Sequence, residues 1–276
     1  MSKPEYVKFR WGFSSLGAPD LDLTALAELA VRYQCPNLEL RTLEGSLDLP
    51  SVLDERFPES GAARALLDRY GVEVPCLNSS FKLSDAGESE QHELIRWVHW
   101  ARELGAPYIR VFGGGRWGEE LPSEAWDRIR ANLQWWREMK EREGWPAELV
   151  LETHDAFSGS GPCLELFERV GQPLPLIWDT HHTWKFAGET PQQTWQTLGP
   201  QVCHLHIKDS VSRPSQRHPY TYVPFDEGEM PWRDVLDIVG AAGYEGVVSI
   251  EWEKQWHPYL APLETMLEKA RQRGIW

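Results

Sequence analysis

Cysteine and basic residues are both scarce in this sequence. The four cysteines, Cys35, Cys76, Cys163 and Cys203, lie far apart and never form a C-x-x-C pair, which argues against a zinc knuckle or a dithiol redox motif and predicts free, buried thiols. Lysine and arginine total 28 against 42 acidic residues, so the formal net charge is −14. This charge repels phosphate backbones and anionic membranes, and no local basic patch offsets it. We therefore expect no nucleic acid partner and no membrane partner.

Long apolar runs are also missing. No stretch of about 18 apolar residues occurs, as a membrane-spanning helix would need. The N-terminal segment MSKPEYVKFRWGF has no apolar run of signal-peptide length, which predicts a cytoplasmic protein. Hydrophobic residues make up 41% of the chain, close to the globular average, so an ordinary core can form without disulfides.

Tryptophan, in contrast, is abundant, with 15 copies. Four of them, Trp11, Trp117, Trp184 and Trp252, lie near predicted strand ends. Indole rings there either fill the core or present flat faces on which a sugar can stack.

Short β-rich runs alternate with longer amphipathic runs along the chain, which is typical of parallel α/β proteins. We predict eight strands, at residues 8–13, 37–41, 72–78, 108–112, 149–154, 176–179, 202–208 and 247–252. Eight strands indicate a single (β/α)8 TIM barrel domain over residues 1–276, since such a barrel needs about 250 residues. An open doubly wound sheet is the alternative, but its usual G-x-G-x-x-G motif does not follow the first strand.

Helices are predicted between the strands, for example at residues 21–33, 62–70, 89–104, 124–143, 232–242 and 262–273. Glycines follow several of these helices at the position where a left-handed residue is needed, among them Gly71 and Gly105. Two other segments, 42–60 and 210–230, are too long and irregular for plain connectors. Because loops after strands form the active-site face of a barrel, these segments are candidate lids or subunit contacts.

Ionisable residues cluster at the ends of the last four predicted strands. They occur in the motifs LVLETHD, LIWDTHH, VCHLHIKD and VVSIEWE and comprise Glu152, His154, Asp179, His182, His204, His206, Lys208 and Glu251. In a parallel barrel these strand ends converge on one pocket. Carboxylates brought together there repel one another unless a cation neutralises them, so we predict one divalent metal ion. The ligands would be Glu152, Asp179, His206 and Glu251.

The identity of the ion is left open by this ligand set. Three carboxylates and one imidazole suit Mn²⁺, Mg²⁺ or Co²⁺, and Zn²⁺ is also compatible. His204 lies on the same strand face as His206 by the two-residue alternation, so it is either a further ligand or a support for one.

Together the motifs resemble the xylose isomerase-like barrels, a superfamily of sugar isomerases and epimerases that also includes inosose dehydratases, hydroxypyruvate isomerases and apurinic endonucleases. The resemblance covers nearly the whole chain, through NLELR, LETHD, WDTHH, HLHIKD, FDEGEMPW and IEWE. It is specific for the superfamily and not for the substrate. It implies that Glu152, Asp179, His206 and Glu251 hold one divalent metal, as in ketose 3-epimerases of this group. It also implies that the two glutamates move the proton.

Further roles follow from the same resemblance. His182 lies three residues after the metal-binding aspartate and is implied to contact substrate. Lys208 resembles the lysine that lies near substrate oxygens in inosose-type members. We also expect His154 to contact substrate. Glu39 either points inward, as in family members, or forms a structural ion pair.

Two arginines flank the fourth predicted strand. Arg110 and Arg116 are candidates to neutralise an acidic substrate, although exposure to solvent is the expected fate of Arg116.

These residues predict a metal-dependent isomerase or epimerase that moves a proton α to a carbonyl through an enediolate. The substrate would be a small carbohydrate or cyclitol. A dehydratase of the inosose or dehydroshikimate type is the main alternative, kept open by Lys208, and a non-catalytic sugar- or metal-binding barrel is a third. An apurinic endonuclease is disfavoured, because the third and fourth strands end in LNSS and VFGG without the extra histidines that three zinc ions require. The resemblance also implies a homo-oligomer.

Overall fold

A computed structural model describes residue 6 and residues 8–276. Its strands are β1 (Arg10–Ser14), β2 (Asn37–Glu39), β3 (Cys76–Lys82), β4 (Tyr108–Phe112), β5 (Glu148–Glu152), β6 (Leu176–Asp179), β7 (Val202–Ile207), β8 (Asp209–Val211), β9 (Thr221–Val223) and β10 (Val247–Ile250). All but β8 and β9 form one parallel sheet of eight strands, in the order β2-β1-β10-β7-β6-β5-β4-β3. Bridges from Asn37 to Glu73 and from Leu40 to Leu77 join its two edges. The predicted (β/α)8 barrel is confirmed.

Helices connect the strands and cover the outside of the barrel. They are α1 (Leu23–Tyr33), α2 (Leu49–Arg56), α3 (Ala62–Tyr70), α4 (Glu88–Leu104), α5 (Ser123–Glu143), α6 (Ser160–Val170), α7 (Thr180–Lys185), α8 (Pro191–Leu198), α9 (Trp232–Ala241) and α10 (Leu263–Gln272). Gly71 and Gly105 follow α3 and α4 with φ of +65° and +70°, as their positions in the sequence predict. Within the part of the chain that the structure describes, no helix combines the length and the apolar character needed to cross a membrane.

Several strands differ from the prediction by one or two residues at their ends, and three segments differ by more. Strand β3 begins at Cys76 rather than at residue 72, because Pro75 has no N–H to donate and only Glu73 makes a bridge before it. Segment 42–60 is not irregular throughout, since it contains α2, whose first turn is capped by Asp48 accepting from the backbone N–H of Ser51 at 3.2 Å. Segment 210–230 contains most of the antiparallel hairpin of β8 and β9.

The alternation of side chains along β2 and the residues after it shows how the barrel positions its polar groups. Leu38 and Leu40 are fully buried in the apolar core. Glu39 points to the other side and reaches the histidines of β7, and Arg41 lines a cleft at the carboxyl ends of the strands. The sequence NLELR thus contributes apolar groups to one face and charged groups to the other.

The four cysteines are free thiols, as predicted. Cys35, Cys76 and Cys163 are buried, whereas Cys203 is half-buried. Burial raises the pKa of the Cys203 thiol to about 11, so this group stays protonated at neutral pH.

Candidate active site

Four of the predicted residues converge at the carboxyl ends of neighbouring strands. Glu152 ends β5, Asp179 ends β6, His206 lies near the end of β7 and Glu251 follows β10. Each offers a ligand atom, these atoms all lie within 4.8 Å of one another, and all four residues are buried. The convergence follows from the strand order and from the register, which pairs Asp179 with His206.

The donor atoms in this group fit a divalent cation. Nδ1 of His206 lies 3.3 Å from Oε1 of Glu152 and 3.4 Å from Oε1 of Glu251. Among the described residues, His206 Nδ1 is a buried polar atom without a hydrogen bond, whereas Glu152 Oε2 and Asp179 Oδ2 lie against the cations of Arg110 and Lys208. Three carboxylates and one imidazole this close together in a buried site form a donor set that suits a divalent cation.

Helix α7 explains how Asp179 is oriented. Its Oδ1 accepts hydrogen bonds from the backbone N–H groups of His181 and His182, each at 3.0 Å, and so caps the helix. The second oxygen, Oδ2, lies 2.7 Å from Nζ of Lys208 and 3.2 Å from Nδ1 of His182. Burial raises the pKa of Asp179 to about 7, although the nearby Lys208 ammonium acts in the opposite direction.

Glu39 holds both histidines of β7. Its Oε2 lies 2.6 Å from Nε2 of His204 and 2.9 Å from Nε2 of His206, while Asn78 donates to the other oxygen. Burial by itself would raise the pKa of Glu39, but the two histidines lower it below its usual value. Glu39 therefore points inward and also forms an ion pair, combining both alternatives that the sequence left open. His204 is placed as a partner of Glu39, outside the four-residue group.

Lys208 lies among the candidate ligands. Its side chain is 1% exposed, and its Nζ lies 2.7 Å from Asp179 Oδ2 and 2.7 Å from Glu253 Oε1. Nζ also donates to Glu251. Burial opposes the charged form, but these carboxylates raise the pKa of Lys208 well above its usual value. The lysine is therefore an ammonium group at the floor of the site.

Arg110 is committed to Glu152 rather than free for a substrate. Its NH1 lies 3.0 Å from Glu152 Oε2, and its guanidinium lies 3.8 Å from the centre of the Phe112 ring. Although burial favours the neutral acid, Arg110 and His206 hold the pKa of Glu152 well below its usual value. Arg116 has a side chain that is 82% exposed, as expected.

Two predicted substrate-contacting histidines line the same cleft as Glu152, Lys208 and Glu251. Nδ1 of His182 lies 3.0 Å from the carbonyl oxygen of Thr153, so this nitrogen donates and Nε2 is left as an acceptor. Burial holds the pKa of His182 well below its usual value, which keeps the ring neutral. Nδ1 of His154 lies 2.8 Å from Asp155 Oδ1. Burial opposes protonation of His154, but Asp155 and Glu152 raise its pKa.

The cleft has a volume of about 590 Å³ and opens above the four-residue group. Sequence reasoning did not single out Arg41, Lys82, Phe112, Trp256 and His257, which also line it. Arg217 and His218 line it too, and they belong to segment 210–230, a candidate lid by its position after a strand. Arg41 could have been predicted from the sequence, because it follows Glu39 by two positions and so shares its strand face. None of the four tryptophans considered above is among the lining residues: Trp11 and Trp252 are buried in the core, and Trp256 supplies the indole instead.

The fold and the site together define a (β/α)8 barrel with a candidate metal centre at the carboxyl ends of its strands. A model of the family described as "Xylose isomerase-like TIM barrel" matches residues 39–273, and the chain belongs to this family. No curated protein sequence matches the chain.

Solved structures share this fold over almost their full length. The probable 3-DHS dehydratase AsbF, involved in petrobactin synthesis in Bacillus anthracis, has a TM-score of 0.77 at 18% identity, covering 96% of this chain and 99% of that one. The IOLI protein with a binding zinc atom has a TM-score of 0.73 at 16% identity, covering 97% and 98%. D-allulose 3-epimerase from Methylomonas sp., in complex with D-allulose, has a TM-score of 0.70 at 14% identity, covering 99% and 98%. Identities this low establish a shared fold alone.

Proposed function

We propose that the protein is a divalent-metal-dependent isomerase or epimerase that moves a proton next to the carbonyl of a small carbohydrate or cyclitol. The observation that carries this proposal is the buried group of Glu152, Asp179, His206 and Glu251, whose ligand atoms lie within 4.8 Å of one another. The cleft above them has room for a small sugar. Structural neighbours that hold zinc or D-allulose support the same class of chemistry.

Glu152, Asp179, His206 and Glu251 would hold the ion, for which Mn²⁺, Mg²⁺, Co²⁺ and Zn²⁺ are all suitable. When bound, such an ion stabilises the negative oxygen that develops as a proton leaves the carbon beside a carbonyl. Burial opposes the charged form, but Glu251, Glu39 and Glu152 raise the pKa of His206 well above its usual value, so the metal-free ring carries both protons. The contact with Glu39 keeps one proton on Nε2, so loss of the other would present the Nδ1 lone pair to an ion.

Glu152 and Glu251 are the candidate proton-transfer groups. Glu152 ends β5 and Glu251 follows β10, and these two strands flank β6 and β7 in the sheet. Burial opposes ionisation, but His206 and Lys208 hold the pKa of Glu251 well below its usual value, as Arg110 does for Glu152. One carboxylate can therefore remove the α-proton as a base.

The fate of the proton decides the product. Return of the proton to the opposite face of the same carbon gives an epimer, and return to the adjacent carbon gives an isomer. His182, with Nε2 free as an acceptor, and His154 lie in the cleft where they can orient substrate hydroxyl groups.

The test is proton exchange in deuterated water, followed by NMR, with ketoses and inososes and an added divalent metal. We expect deuterium to enter the α position with the wild-type protein. Glu152→Gln and Glu251→Gln should each slow this exchange by at least about 100-fold, because each removes a proton-transfer group. Glu148→Gln is the matched control, since Glu148 lies on the same strand but is half-exposed and paired with Lys140. An active Glu152→Gln, Glu251→Gln double variant would refute the mechanism.

A dehydratase is the second candidate, and Lys208 is the observation that favours it. The ammonium is buried beside Asp179, Glu251 and Glu253 and stays protonated, so it can give a proton to a departing β-hydroxyl group. Lys208→Gln should then abolish loss of water from an inosose or from dehydroshikimate while α-proton exchange continues. A wild-type protein that exchanges the α-proton without releasing water is an isomerase or epimerase instead.

A further inference from the structure

Arg41 is a buried charge without a charged partner. Its residue is 6% exposed, and its guanidinium lines the cleft. NH1 donates to the carbonyl oxygen of Asn78 at 3.2 Å, and NH2 donates to Oγ of Ser80 at 2.9 Å. Both acceptors are neutral, and none of the carboxylates in residues 8–276 forms an ion pair with Arg41. Such an arrangement is unusual, because buried charges are normally paired.

The guanidinium nevertheless stays charged at neutral pH. Burial and the neighbouring Arg110 lower the pKa of Arg41 to about 9. The carboxylates of Glu152, Glu251 and Glu39 oppose this decrease, although none of them is in ion-pair contact with the guanidinium. A guanidinium has five N–H donors, and the two hydrogen bonds to Asn78 and Ser80 use only part of this capacity. The remaining donors are available to an acceptor that enters the cleft.

Two other cations of the cleft are already paired with carboxylates. Arg110 pairs with Glu152, and Lys208 pairs with Glu251 and Glu253. These three carboxylates are the acidic groups among the lining residues.

Two further cations line the cleft without a carboxylate partner among the described residues. They are Lys82 and Arg217, and Arg217 donates only to the carbonyl oxygen of Trp256 at 3.2 Å. A protein with a formal charge of −14 thus presents Arg41, Lys82 and Arg217 at one opening. A negatively charged ligand would satisfy all three electrostatically.

We propose that the substrate carries a carboxylate, as a keto sugar acid or an acidic cyclic hydroxyketone does, and that Arg41 binds this carboxylate. The inference rests on the proposed function, which places the reacting carbonyl at Glu152, Asp179, His206 and Glu251. A planar guanidinium can donate two parallel hydrogen bonds to a planar carboxylate. Lys82 and Arg217 attract the anion at the mouth of the cleft.

A carboxylate fits this site better than a phosphate does. A phosphate dianion is usually held by several backbone N–H groups of a glycine-rich loop together with a cation. The glycine run at residues 113–115 is the segment of this kind in the sequence, and it is not among the residues that line the cleft. Arg41 instead offers one guanidinium fixed by Asn78 and Ser80.

The experiment is calorimetric titration of the metal-supplemented protein with pairs of ligands that differ in their acidic group. The pairs are D-fructuronate with D-fructose, D-tagaturonate with D-tagatose, and 3-dehydroshikimate with its methyl ester. At least one acid should bind wild-type protein about tenfold or more tightly than its neutral partner. Arg41→Gln should remove this preference, so that the acid and its neutral partner bind with similar affinity. Arg41→Lys should retain part of it, and Arg116→Gln, at an exposed position, should retain all of it.

The wild-type comparison decides the matter even if Arg41→Gln fails to fold. If no acid binds more tightly than its neutral partner, or if fructose 6-phosphate binds more tightly than the acids, the inference is wrong. An unchanged preference in folded Arg41→Gln protein would also overturn it. If the protein exchanges deuterium into neutral ketoses but binds acids no more tightly than their neutral partners, this inference is wrong and the proposed function is retained. If acids bind in an Arg41-dependent way but no substrate exchanges deuterium, the proposed function is wrong and the binding of a carboxylate by Arg41 is retained.

Discussion

Nε2 of His206 lies 2.9 Å from Oε2 of Glu39, which belongs to a strand three places away in the sheet. The contact keeps one ring proton on Nε2, so Nδ1, which lies 3.3 Å from Glu152 Oε1, is the nitrogen that would lose its proton to bind a metal ion. The same oxygen of Glu39 also binds His204. One carboxylate on β2 thereby fixes the orientation of a candidate metal ligand on β7.

Replacement of Glu39 by Gln should weaken metal binding. The neutral amide no longer favours the ring tautomer that presents the Nδ1 lone pair, so we expect the affinity for Mn²⁺ to fall by about 10- to 100-fold. Calorimetric titration with Mn²⁺ measures the change. Glu73→Gln is the control, because Glu73 is exposed and paired with Arg10. Unchanged affinity in Glu39→Gln would show that Glu39 does not orient His206.

Metal binding should release protons in a pH-dependent way. In the metal-free protein the pKa of Asp179 is raised to about 7, so this carboxyl is largely protonated at pH 6 and ionised at pH 8.5. Because a metal ion binds the carboxylate, affinity should increase with pH across this range. Proton release per ion should be greater at pH 6 than at pH 8.5 by about one proton. Titration in buffers of different ionisation enthalpy measures it, and equal release at both pH values would contradict the assignment.

The same shift has a consequence for the stability of the metal-free protein. Between pH 4 and about 7 the folded state holds a proton on Asp179 that the unfolded chain, with an ordinary pKa of 3.8, has lost. The contribution of Asp179 to the free energy of unfolding therefore falls as pH rises through this window. Urea denaturation of metal-free Asp179→Asn, which mimics the protonated form, should show a weaker decline over the same pH range than wild type. An identical decline would assign the effect to other groups.

Gly228 is required for the hairpin beside the cleft. Asp209 accepts backbone hydrogen bonds from Ser210 at 2.8 Å, Gly228 at 3.1 Å and Met230 at 3.0 Å. A Cβ atom at Gly228 would overlap the Asp209 carboxylate, so Gly228→Ala should lower the free energy of unfolding by about 1–3 kcal/mol. Gly161→Ala, where an added Cβ meets nothing within 4 Å, should cause no loss. Equal stability of the two variants in urea would contradict this interpretation.

The barrel and the candidate ligands could be predicted because both follow from local patterns. Strand and helix periods alternate along the chain, and parallel strands must deliver their carboxyl ends to one face. Topology therefore predicts that Glu152, Asp179, His206 and Glu251 lie together, and in the structure their ligand atoms are within 4.8 Å of one another.

The wall of the cleft could not be predicted in the same way. Trp256 and Arg217 come from irregular segments whose path depends on tertiary packing rather than on a period. The pairing of Arg110 with Glu152 could not be predicted either, because the sequence gives no distance between side chains of β4 and β5. Arg41 is an exception, since its spacing from Glu39 would have allowed its place on the inner face to be predicted.

The most direct test of metal-dependent proton transfer is to follow deuterium incorporation from solvent before and after removal of divalent metal. Bound metal would be counted by mass spectrometry in the same samples. The account predicts about one divalent ion per chain, loss of exchange in the metal-free protein and its recovery when the ion is restored. Exchange that continues undiminished without metal, or a folded protein that binds no divalent ion, would contradict it.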